Sequence, residues 1–562
     1  MRIIKHSKSG GKTRQIILTA LISFLFAVLI TRLAYIQIFS YKKYSRAVTQ
    51  MVHRENIEQG RRGDILDSSG AALAISLKRY DLYIDPRSIK DYAAVKANLA
   101  ASGIKLPKNN LKDYGNTSYV RIADNLSEEA VAKIKSGGEI FGIGFETKYI
   151  RQYPEGKMLA HILGRVGVDG NGLNGIEQSF NSYLSGGQIT IKQYRDGNGN
   201  LINEEIIDKT QAEGGDLVLT IDKNIQFIAE QELERGFIKN RAKKAIAIVQ
   251  RPKTGEILAM VILPEYSLSD KISDVKVLKN SAISDIFEPG SAFKITAVAG
   301  AINENKIKVS DKFYLGDGEY KIAGHTIHDD HIIKGYADTA KIMEMSSNIG
   351  LIKIASTLGE KKFYEYIRKF GFYSLTGIDL PGESRGLLLE TNKWNALSLP
   401  NISFGQGIGV TALQLINAFS AIANDGVLMK PIIVKKMDKQ RSDYSPKMIR
   451  KAVSADTARE IKKLLKNAVE NGTGIGAKVR GYSVGGKTGT AQKINANTGQ
   501  YSKYNYISIF CGILPAEEPE ITILVLFDEP KGSYYAASVA APVFAKIAER
   551  TAKYLNLPQT IN

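Results

Sequence analysis

The feature that most limits what this chain can become is a run of seventeen residues near its start, Gln15 to Thr31, that carries no charge. A helix of that length spans about 25 Å, a little less than the ~30 Å hydrocarbon core of a bilayer. The span is therefore expected to continue past Arg32 towards Phe39 as a transmembrane helix over 15–39, with Arg32 snorkelling and Tyr35 and Tyr41 in the interface. Arg2, Lys5, Lys8, Lys12 and Arg14 precede the run without any acid. By the positive-inside rule the tail 1–14 stays in the cytoplasm and the rest of the chain lies outside. No small-x-small site follows the apolar run, which weighs against a removable signal peptide. No later stretch comes near the roughly eighteen apolar residues a second crossing needs.

At 562 residues the chain exceeds a single core, so two or three domains are expected. Hydrophobic residues make up 44% and charged residues 24%, a globular rather than disordered balance. The 76 basic against 57 acidic residues give +19, yet no basic block is interleaved with aromatics. A lysine-rich solvated surface explains that charge, and a nucleic-acid partner is not expected. The single cysteine, Cys511, lies in the apolar run Ile507–Leu514, which predicts a buried, inert thiol and no intrachain disulfide.

From 40 to 216 the sequence reads as a non-catalytic scaffold. It holds the turn-rich strand Gln59–Gly70 and amphipathic helices such as Ser127–Lys135, opened by a serine cap. The glycine-rich loop Asp169–Glu177 follows no buried strand, so it is not read as a dinucleotide site. At Leu217–Asp222 a buried strand ends in an aspartate that caps a helix over Ile225–Phe237, and a second region, 217–562, begins. Ala245–Val249 and Ile257–Ile262 alternate around the turn Pro252–Gly255, a hairpin signature. Strands at 245–262, 484–492, 506–514 and 521–527 bracket a long helical middle, which predicts an α+β domain with one antiparallel sheet packed on helices.

Three segments carry candidate chemistry. In Phe287–Gly300, Pro289 and Gly290 form a turn from which Ser291 opens an apolar helix, with Lys294 one helical turn further on the same face. A hydroxyl at a helix start lies in the positive field of unpaired amides, and a base beside it completes a nucleophile for acyl transfer. Burial among Phe293–Ala299 together with a second cation such as Lys487 is expected to loosen the Lys294 proton. Ser-x-x-Lys occurs five times, but only at Ser291 does it follow a Pro-Gly turn into a buried helix. The second segment, Met345–Gly350, places Ser346 to relay a proton and Asn348 to hold a substrate amide. In the third, Val484–Gln492, glycines let the backbone approach another molecule, Lys487 supplies a cation, and Thr488 and Thr490 supply hydroxyls around Gly489. Such a strand edge suits an extended peptide ending in a carboxylate. Lys-Thr-Gly also occurs at Lys253–Gly255, where a hairpin turn is the expected reading.

The ordered set Ser291-x-x-Lys294, Ser346-x-Asn348 and Lys487-Thr-Gly489 resembles the penicillin-recognising serine acyl-transferases. More closely the chain resembles the class B penicillin-binding proteins and their division-specific branch. Further matches are Arg62–Gly70, Tyr153–Gly156 with His161, Gly175 and Glu177, Leu219–Asp222 with Gln226, Thr376–Glu383, Gly405–Gln414, Asn424–Gly426 and Gly472–Thr473. The resemblance implies a penicillin-recognising transpeptidase fold on an elongated N-terminal pedestal with one transmembrane helix. It implies Ser291 as nucleophile, Lys294 as base, Ser346 and Asn348 as proton and amide contacts, and Lys487, Thr488 and Thr490 as carboxylate ligands. The backbone amides of Ser291 and Thr490 would form the oxyanion hole. The implied substrates are peptidoglycan stem peptides ending in D-Ala-D-Ala, with β-lactams as mimics and no cofactor or metal. The implied setting is the inner membrane at the division septum, beside a lipid-II polymerase and other division proteins. Two departures stand out: Ser68 replaces the usual arginine of the first motif, and Tyr534–Ala537 lacks the usual glycines.

Other signals carry less. His325–His331 offers three histidines and two aspartates, but on a turn and strand those side chains need not converge, and a polar loop beside the second motif is expected. Trp394 and Phe363, Tyr364, Tyr366 and Phe370 are expected in the core. An elongation-specific relative keeps the chemistry and changes the assembly; an idle β-lactam sensor or division scaffold is disfavoured by the intact triad of motifs, and a β-lactamase by the anchor and the long scaffold region.

Overall fold

Strands buried on both faces read as unbroken apolar runs, and two such runs, 245–249 and 257–262, organise the larger part of the molecule. The structure is a computed structural model that describes residues 9–45, 53–105, 117, 119–138, 142–195, 201–206, 213–270, 272, 274–439, 445–494 and 498–561. By packing, the chain falls into two units. One comprises Met1–Arg61, Lys78–Ile150 and Gly186–Glu213, the other Arg62–Leu77, Arg151–Ser185 and Gly214–Asn562. The expected stretch 40–216 is thus divided between the two units, with 62–77 and 151–185 grouped with the C-terminal part.

In the smaller unit the apolar start forms helix α1 (Ser9–Ala34), followed by a wider π-turn over Tyr35–Phe39. Within Lys12–Phe39 an eighteen-residue stretch reaches a mean hydropathy of 2.4, and this is the one helix among the described residues long and apolar enough to cross a membrane. The Arg32 guanidinium lies 5.7 Å over the Tyr35 ring, at the aromatic end of the run. Of the basic tail, residues 1–8 with Arg2, Lys5 and Lys8 lie outside the described residues. Further on, His53–Gln59 pairs antiparallel with Gln188–Arg195, which pairs with Leu201–Ile206. Tyr80–Ile84 pairs with Val120–Leu126, and the helices Tyr92–Ala101 and Glu128–Ser136 complete a small core of Leu82, Ile84, Ile89, Val95, Leu99 and Ile134. The expected serine cap is present: Ser127 Oγ accepts from Ala130 N at 3.3 Å.

The larger unit begins its C-terminal part with α2 (Lys223–Asn240), whose Asp222 cap accepts from the amides of Asn224 and Ile225. The hairpin strands β1 (Lys244–Gln250) and β2 (Ile257–Leu263) turn at Gly255, whose φ of +81° suits glycine. The helical middle supplies α3 (Lys294–Asn303), α4 (Thr339–Met345), α5 (Asn348–Lys369), α6 (Ala412–Ala423) and α7 (Ala455–Glu470). The chain then returns through β3 (Gly485–Ile494), β4 (Tyr501–Leu514) and β5 (Ile521–Asp528) to α8 (Ala536–Tyr554). The sheet order is β2-β1-β5-β4-β3 with every pair antiparallel.

Side-chain alternation divides this sheet between two helical layers. Ala245, Ala247, Val249, Phe510 and Val525 pack with Ile225 and Leu233 of α2 and Phe544 and Ile547 of α8. Ile246, Ile248, Ile509, Cys511 and Leu524 face the other way, in one core with Ile295 of α3 and Leu413, Ile416 and Phe419 of α6. The sheet is covered on both faces over most of its area, and β3 is one of its two edge strands. Cys511 is buried as expected, and burial pushes its thiol pKa up, away from the reactive thiolate.

A second buried polar cluster lies in the segments 62–77 and 151–185 of the same unit. Glu177 is fully buried and receives Arg62 Nε at 2.6 Å on one oxygen and Arg151 Nε at 2.7 Å on the other. Arg62 also donates to Glu177 O, Asn181 Oδ1 and Ser185 Oγ, and Arg151 to Gly63 O and Ser76 Oγ. In the neighbouring motif Asp67 Oδ1 accepts from the Ser69 and Ala71 amides and Oδ2 from Lys223 N, while Ser68 N donates to Ile221 O. Serine at 68 therefore leaves the backbone ties of this motif in place.

Candidate active site

The turn that presents Ser291 exists because glycines let two backbones touch. Gly290 has a φ of +52° and donates its N–H to Gly405 O at 3.1 Å. A Cβ on Gly290 would sit 2.9 Å from Thr490 O, and one on Gly489 2.6 Å from Pro289 O, so the turn and the β3 edge lie at the closest approach backbones allow. Glu288 ties the turn further, accepting at Oε1 from Gly407 N at 2.8 Å and the Tyr501 hydroxyl at 3.1 Å. Gly290–Phe293 makes one 3-10 turn that runs on into α3. Ser291 is half-buried in that first turn, where helical geometry gives the amides no acceptor. Among the described residues its hydroxyl has no hydrogen-bond partner.

Lys294, one turn on, is completely buried, and its Nζ lies 2.5 Å from Ser346 O, 3.2 Å from Ser346 Oγ and 2.9 Å from Asn348 Oδ1. Ser346 ends α4 in the left-handed region at φ +61°, a conformation that costs a non-glycine residue about 1–3 kcal/mol. That twist aims its carbonyl at the lysine. The strain is held from below by Asp329, which is buried and accepts from the Ser347 hydroxyl at 2.6 Å, Asn348 N at 2.5 Å and Ile349 N at 3.0 Å. Asn348 Nδ2 donates to His328 O at 3.1 Å, which fixes its amide with the oxygen towards Lys294.

On the strand edge, Lys487 is also completely buried, and Thr473 Oγ1 at 3.5 Å is its one hydrogen-bond partner among the described residues. Thr473 Oγ1 lies 2.9 Å from Thr488 Oγ1, and Thr490 Oγ1 accepts from Ala536 N at 3.2 Å. Burial lowers the Lys294 pKa from 10.5 to about 7, against the opposing pull of Asp329 and Asp330. Lys487 is pushed well below its usual value by burial and then by the Lys294 charge. The site therefore holds two desolvated amines with no hydrogen-bonded carboxylate among the described residues, an arrangement suited to taking a proton at one and an anion at the other.

Ser291, Lys294, Ser346, Asn348 and the Lys487–Thr490 edge all lie in the larger unit, joined by the contacts above. The duplicate string Lys253–Gly255 is a hairpin turn as expected, with Lys253 paired to Glu520 at 2.7 Å. In the loop His325–His331 the three histidines are exposed and Asp329 alone is buried. No group of three or more His, Cys, Asp or Glu among the described residues is placed to hold a metal ion. Sequence reasoning gave Asp329 no role of its own, and it gave Thr473 none beyond a motif match. A buried cap for Ser347–Ile349 needs an acidic residue from elsewhere, and no local spacing says which. Phe363, Tyr366 and Phe370 are in the core, and Trp394 packs on Phe363 and Tyr364.

Comparison with known proteins agrees with this geometry. Residues 245–549 match the penicillin binding protein transpeptidase domain and residues 57–219 the penicillin-binding protein dimerisation domain. The chain is 33% identical to stage V sporulation protein D of Bacillus subtilis over 93% of this chain and 83% of the relative. It is 32% identical to the peptidoglycan D,D-transpeptidase FtsI of Buchnera aphidicola over 95% and 94%. Penicillin binding protein 3 of Mycobacterium tuberculosis, solved with aztreonam, superposes with a TM-score of 0.70 at 28% identity, covering 90% of this chain and 98% of that one. The expected α+β transpeptidase fold is met, and the chain belongs to the penicillin-binding protein transpeptidase family.

Proposed function

We propose that this chain is a membrane-anchored peptidoglycan D,D-transpeptidase that works in division and is acylated by β-lactams. The observation that carries the reading is a buried amine, Lys294, with no hydrogen-bonded acid among the described residues, one helical turn from Ser291 and held by Ser346 and Asn348. Near neutral pH a large share of that amine is unprotonated and available as a base. In this reading Lys294 takes the Ser291 hydroxyl proton as Oγ bonds to the penultimate D-alanine carbonyl carbon. The amides of Ser291 and Thr490 hold the oxyanion. Collapse breaks the C–N bond, and the leaving D-alanine amine receives a proton through the Ser346 hydroxyl. The amine of a second stem peptide then attacks the ester, forms the crosslink and returns the proton to Ser291 Oγ. Lys487, Thr488 and Thr490 bind the terminal carboxylate, and Asn348 the stem amide. A β-lactam follows the first half only, because its leaving amine stays tethered in the opened ring.

The setting is read from the anchor and from the relatives. A single crossing over Lys12–Phe39, with the basic tail inside by the positive-inside rule, supports a periplasmic catalytic unit. The similarity to the relative named FtsI supports division, beside a lipid-II polymerase. Purified protein is expected to label covalently with a fluorescent penicillin, and Ser291→Ala to abolish the label; labelling that survives the substitution removes Ser291 as nucleophile. In cells, depletion is expected to give filaments, and round cells would transfer the protein to elongation.

A further inference from the structure

Lys487 is fully buried, and with an anionic ligand beside it the amine carries its proton and, as an ammonium, can only donate. The acceptor it has is Thr473 Oγ1. A hydroxyl has a single proton, so while Lys487 donates to Thr473, the Thr473 proton is directed to its other neighbour, Thr488 Oγ1 at 2.9 Å. The Thr488 proton must then leave the chain of three, and no other acceptor among the described residues takes it. The polarity of the whole row, ammonium to Thr473 to Thr488 to ligand, thereby passes through one residue that lies outside the three motifs, and the bonds of such rows strengthen one another in a low dielectric.

Thr473 is also placed so that it cannot drift. Its N–H donates to Glu344 O at 3.3 Å, two residues before the left-handed Ser346, and Glu344 Oε2 accepts from Asn467 Nδ2 of α7 at 3.0 Å. A Cβ on the preceding Gly472 would sit 2.3 Å from Glu344 O, so the chain passes α4 at backbone contact. The ends of α4 and α7 therefore fix the Thr473 hydroxyl against the β3 edge.

We propose that Thr473 is a positioning residue for carboxylate recognition, its hydroxyl receiving a hydrogen bond from Lys487 and turning the Thr488 proton towards the anionic end of the ligand. The assignment rests on the transpeptidase reading, and the experiment separates the two. The second-order acylation rate constant of the full chain in detergent is measured with benzylpenicillin and with its methyl ester, which lacks the carboxylate charge. Thr473→Val, which keeps the side-chain shape, is expected to slow the acid about 10- to 100-fold, the range of one hydrogen bond in a charged chain, and to leave the ester unchanged. Thr473→Ser is expected to restore the acid to within about threefold of wild type. Thr473→Ala, measured alongside, is expected to match valine and so excludes an effect of the valine methyl. Equal losses for acid and ester, no loss for either, or a serine variant as slow as valine overturn the assignment. A wild-type chain that neither probe acylates overturns the transpeptidase reading, and the assignment with it.

Discussion

The larger unit buries charge in two places and treats it in opposite ways. Around Glu177 the carboxylate is answered on both oxygens: two guanidiniums grip it, and carbonyls, hydroxyls and an amide oxygen take most of their remaining donors, Arg151 Nη2 alone keeping no partner among the described residues. Around Lys294 and Lys487 the hydrogen-bond partners are hydroxyls, a carbonyl and an amide oxygen, and among the described residues no acid is hydrogen-bonded to either amine. A compensated buried charge fixes one conformation and is inert. An uncompensated one sits at an unfavourable free energy that a substrate or a proton transfer can relieve. The contrast marks the first cluster as architecture and the second as chemistry.

The comparison is most sharply broken or upheld by Lys294→Met. Acylation by a penicillin probe is expected to fall about 10²- to 10⁴-fold, the share of a general base, while the unfolding midpoint does not fall. The pH dependence of stability adds a sign. In the unfolded chain Lys294 titrates near 10.5 and in the fold near 7, so between these values the unfolded state binds the extra proton. Stability therefore rises with pH across about 7 to 10.5 and is lost as pH falls towards 7, and that contribution is expected to vanish in Lys294→Met urea titrations. A midpoint that drops sharply in this variant would show that the lysine is structural.

Glu177→Gln tests the other side. Removing one partner of a buried, bonded charge is expected to cost about 3–5 kcal/mol in denaturant unfolding, with the acylation rate per folded molecule unchanged. A loss of acylation without a loss of stability would reverse the roles of the two clusters. The smallest effect is expected from Asp329→Asn, which weakens the cap of α5 by about 1 kcal/mol. It also removes a negative charge that holds the Lys294 pKa up, so the acid limb of the labelling profile is expected to move to lower pH. A limb that moves to higher pH would show that Asp329 does not act on Lys294 through its charge.

Local chemistry was the legible part of this molecule. The Pro289-Gly290-Ser291 turn, the Asp222 and Ser127 caps, the hairpin at 252–255 and the four catalytic-domain strand regions are each written in a few adjacent residues, and each is where the sequence puts it. What escapes is whatever depends on distant packing. Nothing near Ser346 announces a left-handed serine, because the twist is imposed by Asp329 from another loop. The histidines beside Asp329 drew attention because histidine is a common ligand, yet they face solvent and the aspartate between them does the work. The grouping of segments 62–77 and 151–185 with the larger unit is of the same kind, made by contacts that composition does not encode.

The approach of Gly290 to Thr490 and of Gly489 to Pro289 means that the width of the catalytic cleft is set by atoms that are missing. A wall built that way has no dial: any residue larger than glycine at 290 or 489 pries the nucleophile from the strand that presents its partner. Variation that lets such an enzyme escape an inhibitor while keeping its own reaction must therefore come from the rim and the far ends of the groove, and a molecule that draws its grip from this throat leaves the protein little room to answer.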